Sequence, residues 1–468
     1  MLSEFQKALG SNAVLSDPDD MQSYLREWRG LFEGKALAVV RPSTTQQVSD
    51  AVKLACAHGL KIIPQGGNTG LVGGQMANDA ENHIILSTDR LNAIRNLDSD
   101  GNSITAEAGV VLERIQQAAS DADRFFPLSL GSQGSCQIGG NISSNAGGTG
   151  VLAYGNTRDL VLGLEVVLPD GRIWNGLRAL RKNNTGYDLK QLFIGAEGTL
   201  GLVTAATLKL FPKPKGRQVS FMGFDSPHAA LATLNIAQGL AGSNLTGFEL
   251  IPRIAIEFTS RNLEGARDPL ETEHPWYAVV EISSGRSDAE AESLMAEAFE
   301  QAYEAGHIND AVLASSVAQQ NAFWHLRHGI SESQKPEGGS IKHDVSVPVS
   351  KMPDFILEVS AAVKAEIPGC RPVPFGHLGD GNIHFNVSQP IGVDRTAYMA
   401  QWDQINAVVY DIVADYGGSI SAEHGIGRLK AKSMPDIKSD VELDMMRQVK
   451  KALDPDGVFN PGALLPPE

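Results

Sequence analysis

The chain has 468 residues, 42% apolar and 20% charged, with 48 glycines and a net charge of −16. That length exceeds one ordinary hydrophobic core and predicts two or more packed units. The acidic surplus is spread along the chain and disfavours nucleic acid and anionic membrane surfaces as partners. No apolar run approaches the roughly twenty residues of a membrane span, so an integral membrane protein is not expected. The N-terminal stretch shows neither a basic leader with an apolar core nor an Arg-rich transit pattern. Cys56, Cys136 and Cys370 are widely spaced and suit a reducing compartment. A cytoplasmic protein is the expectation, with a homodimer as a possible assembly.

Taken in order, "LREWRGLFEG" (25–34) reads as a helix running into a loop, and "KALAVVRPST" (35–44) as a short strand closed by proline. "TTQQVSDAVKLACAHGLK" follows as an amphipathic helix, with a Ser/Thr cap, Val48, Val52 and Ala55 at helical spacing, and Gly59 as its stop. "KIIPQGG" is a buried strand. Two more strands and a capped helix occupy 83–127, and Asp170-Gly171 marks a hairpin between alternating apolar runs. The Pro/Lys-rich stretch Pro212–Gly216 is the best domain boundary. Beyond it, strands alternate with amphipathic helices, predicting an α+β layer with helices on one face of an antiparallel sheet. The tail is a helix followed by a Pro/Gly-punctuated end.

Glycine clusters at 66–74, 131–150, 195–201, 376–381 and 417–427, where backbone must turn sharply or approach a ligand. "PQGGNTGLVGG" (64–74) follows a strand directly, and its small residues let N–H groups converge on an anion. It lacks the Gly-Lys-Ser/Thr of a P-loop and the G-x-G-x-x-G spacing of the dinucleotide fingerprint. Alone it reads equally as a surface turn. "LGSQGSCQIGGNISSNAGG" (130–148) is too poor in apolar bulk for a core and too long for an idle turn. It suits backbone approach to a large, flat, polar ligand.

These motifs, with "GYDL" (186–189) and "GAEGTLG" (195–201), resemble the FAD-binding domain of the vanillyl-alcohol oxidase type, in that order along the chain. The later "GHLGDGNIH" (376–384) and "EHGIG" (423–427) resemble its D-2-hydroxyacid dehydrogenase branch. The resemblance covers nearly the whole chain. It implies an α+β architecture: a two-domain vanillyl-alcohol oxidase/PCMH-type FAD-binding domain plus an antiparallel-sheet cap domain that holds substrate. The expected divisions are 1–35, an N-terminal helical segment; 36–214, the FAD-binding domain; 215–428, the substrate and metal cap; and 429–468, a segment packing back on the FAD domain.

The resemblance implies FAD with its pyrophosphate on the first loop, at Pro64, Gly66, Gly67, Asn68, Thr69, Gly70 and Leu71. Leu130, Gly131, Ser132, Gly134 and Ser135 line the ribityl and isoalloxazine portions. So do Gly139, Gly140 and Asn141, with Asn145, Ala146, Gly147 and Gly148. Gly198, Val203 and Asn460 complete the set, the last in "VFNPGALL", which resembles the family's returning tail. Asn68 holds the position near which covalent relatives carry a histidine, so noncovalent FAD is expected. Cys136 reads as a small buried filler.

In "NIHFNV" (382–387), Ile383, Phe385 and Val387 alternate with Asn382, His384 and Asn386, which puts His384 and Asn386 on one face, away from the core. Gly379-Asp380-Gly381 can fold the chain back and bring His377 toward His384. Two imidazoles and Glu423 suit zinc with an open position, and equally manganese, cobalt or ferrous iron. By spacing alone they read as well as satisfied loop histidines. The family pattern matches His377, His384 and Glu423 residue by residue and implies a divalent metal, zinc first.

The expected chemistry is oxidation of D-2-hydroxyglutarate to 2-oxoglutarate, with hydride passing from C2 to flavin N5. His424 is the expected general base. Arg327, Ser331 and Lys342 match the family's substrate contacts, with Asn386 and His424 beside them, and Arg327 and Lys342 suit a second carboxylate. Serine at 331 replaces the familiar threonine. "YGNTRDLVLG" (154–163) is a departure that looks more like the D-lactate and glycolate branches. D-lactate, D-malate or glycolate therefore stay open as substrates, and an inert FAD-binding subunit of a larger complex is the alternative of another class. An electron-transfer flavoprotein or a quinone is the expected acceptor.

Overall fold

A computed structural model describes residues 1–466. They form two compact units, one made of 1–147, 156–213 and the chain from 423 onward, the other of 148–155 and 214–422.

The first unit contains two main sheets. In one, β2 (Lys35–Val40), β4 (Asn78–Ser87) and β3 (Lys61–Gln65) run parallel, and β1 (Val14–Leu15) adds an antiparallel edge. The crossover helix α1 (Thr45–Ala57) starts where the Thr44 hydroxyl accepts from the Gln47 N–H at 3.1 Å, and it stops at Gly59, whose φ is +67°. Val48, Val52 and Ala55 are fully buried against Ile62, Ile84 and Leu86. Each such valine contributes about 1.5–3 kcal/mol through burial. The helix expected from 25 instead spans Pro18–Leu25 and ends where that reading began it. The Glu27 carboxylate accepts from the backbone N–H groups of Arg29 and Leu31, and this local turn replaces helical pairing.

The second sheet is antiparallel, in the order β5 (Ile94–Asp98), β6 (Ser103–Glu107), β9 (Leu202–Lys209), β7 (Val161–Val167), β8 (Ile173–Gly176). Asp170 and Gly171 close the β7–β8 hairpin, with Gly171 at φ +82°. The tail helix Asp440–Leu453 opens with a capping box between Ser439 and Glu442. Its exit returns to β3: Phe459 bridges Ile62, and the Asn460 N–H donates to the Ile62 carbonyl at 2.8 Å.

The second unit is built on seven antiparallel strands. Their order is β13 (Asp310–Leu313), β10 (Gly216–Phe224), β12 (Trp276–Ser284), β11 (Leu245–Pro252), β15 (Arg371–His377), β16 (Asn382–Ser388), β14 (Ser340–Ser346). Helices cover both faces, not one. Phe221 of β10 packs on Phe323 of helix Val317–Ser333, ring centroids 5.6 Å apart, while the adjacent Ser220 meets Met295 of helix Asp288–Glu304. β10 is buried along both sides, so its sequence cannot show the clean alternation of a half-exposed strand.

Candidate active site

In the first unit the glycines of the two loops divide by what surrounds them. A Cβ on Gly67 would lie 2.1 Å from the Ser135 carbonyl oxygen, and one on Gly139 would lie 2.6 Å from the Ala108 Cβ. Gly67 lets the 64–74 segment pack on the backbone of 130–141, and Gly139 lets that second segment pack on Ala108. Gly131 and Gly140, by contrast, face open space with no atom within 4 Å of a built Cβ. Asn68, at φ +55°, donates from Nδ2 to the carbonyls of Ser23 and Arg26 at 3.0 and 2.8 Å. The Oδ1 atoms of Asn68 and Asn141 are buried without a hydrogen-bond partner. Buried acceptors need donors, and the ribityl and ribose hydroxyls of FAD can supply them. The unpaired acceptors and the open glycine surface therefore fit FAD. Cys136 is buried and burial pushes its thiol up, which suits a filler better than a nucleophile.

The other expected flavin residues adjoin this surface. Thr69, Gly70 and Leu71 continue the loop, and the Gly70 carbonyl accepts from Gln75 Nε2 at 2.9 Å. The turn Leu130–Ser135 is closed by Gln133 N–H to the Leu130 carbonyl at 3.1 Å and Ser135 N–H to the Ser132 carbonyl at 2.9 Å. Asn145, at φ +50°, accepts from the Arg158 N–H, and Ala146 accepts from the Thr157 hydroxyl. A Cβ on Gly147 would lie 2.6 Å from Glu423 Oε1, and one on Gly198 would lie 2.8 Å from Pro64 Cγ. Asn460 Nδ2 donates to the carbonyls of Gly74 and Glu197 at 2.9 and 2.8 Å. Val203 stands apart: it is 3% exposed inside β9, paired with Val166. Its side chain packs into the sheet.

In the second unit, β14 and β16 pair so that Lys342 faces Asn386, Asp344 faces His384 and Ser346 faces Asn382. Directly opposed residues project to the same side of a sheet. Asp344 Oδ1 accepts from Asn382 Nδ2 at 2.9 Å and lies 3.7 Å from His384 Nδ1. The Ala422 N–H reaches the Asp344 carbonyl at 3.3 Å, and Ser419 bridges Ser346. Glu423 and His424 follow at once along the chain. Asp344, His384, Glu423 and His424 each offer one ligand atom, and these atoms all lie within 4.8 Å of one another.

The expected metal set was His377, His384 and Glu423. The convergent group contains His384 and Glu423, adds Asp344 and His424, and leaves His377 next to it, with its ring centroid 5.5 Å from that of His384. Two carboxylates and two imidazoles suit a divalent ion such as zinc or manganese. Asp344 shares a strand face with Lys342, two residues away, and no local motif marks it as a ligand. The polar face of β16 is buried rather than turned away from the core: Asn382 and Asn386 are 5% and 2% exposed. The cause is cover from β14 and from Gln334, whose Oε1 accepts from Asn386 Nδ2 at 3.2 Å.

Arg327 is also buried, and it is engaged. Its Nε donates to Glu249 Oε2 at 2.8 Å, its Nη2 lies 2.7 Å from the same oxygen as an ion pair, and the guanidinium lies 4.9 Å over the Phe375 ring. Glu249 Oε1 pairs with His377 Nδ1 at 2.6 Å. Burial opposes ionisation of Glu249, but His377 and Arg327 outweigh it and hold the carboxyl down to about 2. Lys342 is half-buried opposite Asn386, whereas Ser331 lies on the exposed side of its helix. Sequence reasoning missed Glu249. Its signal was a lone carboxylate inside the apolar strand "LTGFELIP".

Loops shaped for a flavin and a half-buried carboxylate–imidazole cluster define an FAD-linked oxidoreductase. Residues 36–176 match the FAD binding domain family, and residues 213–464 match the C-terminal domain of FAD linked oxidases. The chain belongs to the D-2-hydroxyglutarate dehydrogenase family of these proteins. It is 37% identical over 465 residues to the mitochondrial D-2-hydroxyglutarate dehydrogenase of Danio rerio, covering 99% of this chain and 84% of that protein. It is 37% identical over 459 residues to D-2-hydroxyglutarate dehydrogenase of Xanthomonas citri pv. viticola, covering 98% and 95%. A solved structure of p-cresol methylhydroxylase superposes with a TM-score of 0.71 at 16% identity, over 98% of this chain and 95% of that one. That likeness speaks for the fold alone, the expected α+β vanillyl-alcohol oxidase type.

Proposed function

We propose that the chain oxidises D-2-hydroxyglutarate to 2-oxoglutarate with noncovalent FAD and a divalent metal, zinc first. The observation that carries this reading is the convergence of Asp344, His384, Glu423 and His424 on the face that also bears Lys342 and Asn386. When bound, FAD would supply the acceptor for the C2 hydride, at N5, and the metal would supply a Lewis acid toward the substrate's hydroxyl.

The chain's own residues do the rest. His377, His384 and Glu423 would hold the metal, with Asp344 beside them. His424 takes the hydroxyl proton as general base. Asn386 and Lys342 orient the acid from the β14–β16 face. Arg327 has given Nε and Nη2 to Glu249, so its Nη1 edge is the one that can meet a distal carboxylate. Glycine-lined loops in the first unit carry the flavin. An electron-transfer flavoprotein or a quinone is the acceptor expected on this reading.

The departure at 154–163 does not favour a monoacid. Arg158 donates to the Ile194 carbonyl at 2.7 Å and to Gln191 Oε1 at 2.7 Å, while Asp159 completes a capping box with Asn156. The Thr-Arg-Asp segment thus has a structural use. Steady-state assays with an artificial acceptor test the reading. D-2-hydroxyglutarate is expected to exceed D-lactate, D-malate and glycolate in kcat/KM. Arg327→Ala is expected to cut kcat/KM for the diacid by about 100-fold, with a far smaller change for D-lactate. Equal losses on both acids would remove Arg327 from the distal carboxylate.

A further inference from the structure

Glu249 belongs to neither the expected ligands nor the expected substrate contacts, yet it touches one of each. It is the central residue of β11, its side chain is 1% exposed, and it stands in register with His377 on β15. Its two oxygens are divided: Oε1 takes His377 Nδ1 at 2.6 Å, and Oε2 takes both Nε and Nη2 of Arg327. A buried carboxylate is costly unless its lone pairs are met by charged or strongly polar donors, and here both oxygens are. With Nδ1 committed to Glu249, any metal bond from His377 has to come from Nε2. Phe375 reinforces the arrangement, with the Arg327 guanidinium 4.9 Å over its ring and the His384 ring 5.2 Å from it.

We propose that Glu249 is a positioning residue that ties the metal site to the substrate's distal carboxylate. One of its oxygens fixes the tautomer and angle of His377, and the other fixes the guanidinium of Arg327. This rests on the reading above, in which His377 ligates the metal and Arg327 meets the diacid. A carboxylate behind a ligating histidine sets ring orientation and raises basicity, and losing such a partner lowers metal affinity by about 10–100-fold. Because a single carboxylate serves both arms, its loss acts on metal binding and on diacid recognition together. A merely structural ion pair affects neither selectively.

The test uses the full-length flavoprotein as wild type, Glu249→Gln, Glu249→Asp and His377→Ala. Zinc affinity is measured by competition with a chromogenic chelator, with flavin content and far-UV circular dichroism as checks on folding. His377→Ala is expected to lose tight zinc binding. Glu249→Gln is expected to weaken it by about 10–100-fold at unchanged flavin content, and Glu249→Asp, which keeps the charge, to recover part of the loss. In zinc-saturated enzyme, Glu249→Gln is expected to raise KM for D-2-hydroxyglutarate more than KM for D-lactate. Wild-type zinc affinity in Glu249→Gln, alongside loss in His377→Ala, overturns the role of Glu249 while sparing the ligand reading. Wild-type affinity in His377→Ala overturns the ligand reading itself and this proposal with it. Should Glu249→Gln fail to fold, Glu249→Asp decides: its longer reach to His377 must still lower zinc affinity measurably.

Discussion

His424 follows Glu423 directly, and both contribute to the convergent cluster. That adjacency puts a base within reach of whatever the carboxylate helps to hold. General-base assistance contributes about 10²–10⁴-fold, so His424→Gln is expected to slow flavin reduction by that order while leaving flavin content intact. Flavin reduction at the wild-type rate would take the proton-transfer role from His424. Gly67 offers a prediction of another kind. A Cβ there meets the Ser135 carbonyl oxygen at 2.1 Å, a contact with backbone that cannot yield cheaply. Gly67→Ala is expected to purify largely without flavin, and near-stoichiometric flavin by absorbance would show that the two loops can separate at little cost.

At the scale of elements, strand register decides what meets. His384 and Glu423 were legible because each sits in a local motif of small residues. Asp344 was visible only as one polar position of a strand, since its pairing with His384 depends on the β14–β16 register. Glu249 lies 128 residues from His377, and no local pattern announces a contact made across β11 and β15. The helix α1 and the Asp170-Gly171 hairpin were readable for the opposite reason: cap, stripe and turn are all local. The single-faced helix layer was misjudged because strands buried on both sides lose their period-two signature.

Glu337 supplies a test at this same scale. It joins three elements, accepting from Arg371 Nη1 at 2.8 Å, Arg261 Nη1 at 2.8 Å and Asn262 Nδ2 at 2.8 Å. Burial works against its ionisation, but hydrogen bonds from Arg371 and Asn262 and the charge of Arg261 hold its carboxyl below the ordinary 4.5. A carboxyl with a lowered folded value stabilises the fold above its unfolded value and loses that stabilisation as pH falls through the folded one. Glu337→Gln is therefore expected to cost about 2 kcal/mol near neutral pH. The difference from wild type should shrink as pH drops below 4.5. Denaturant melts at neutral and acid pH check it, and a pH-independent difference would contradict the assignment.

At the scale of the whole molecule, the chemistry is distributed along the chain. Flavin-shaped loops lie within 64–148, the strands bearing the proposed substrate contacts Lys342 and Asn386 within 340–388, and the last cluster residues at 423–424. The family was legible from those separated motifs in combination, whereas the tie between metal and substrate arms required the folded strands. On the proposed function, one cluster makes both metal and diacid necessary for reduction of the flavin. The most direct measurement is anaerobic stopped-flow absorbance of the flavin on mixing with D-2-hydroxyglutarate, before chelation, after chelation, and after zinc or manganese is returned. Rapid bleaching that chelation abolishes and added metal restores is expected. Bleaching that survives complete metal removal, or none in metal-replete protein, would contradict the proposed function.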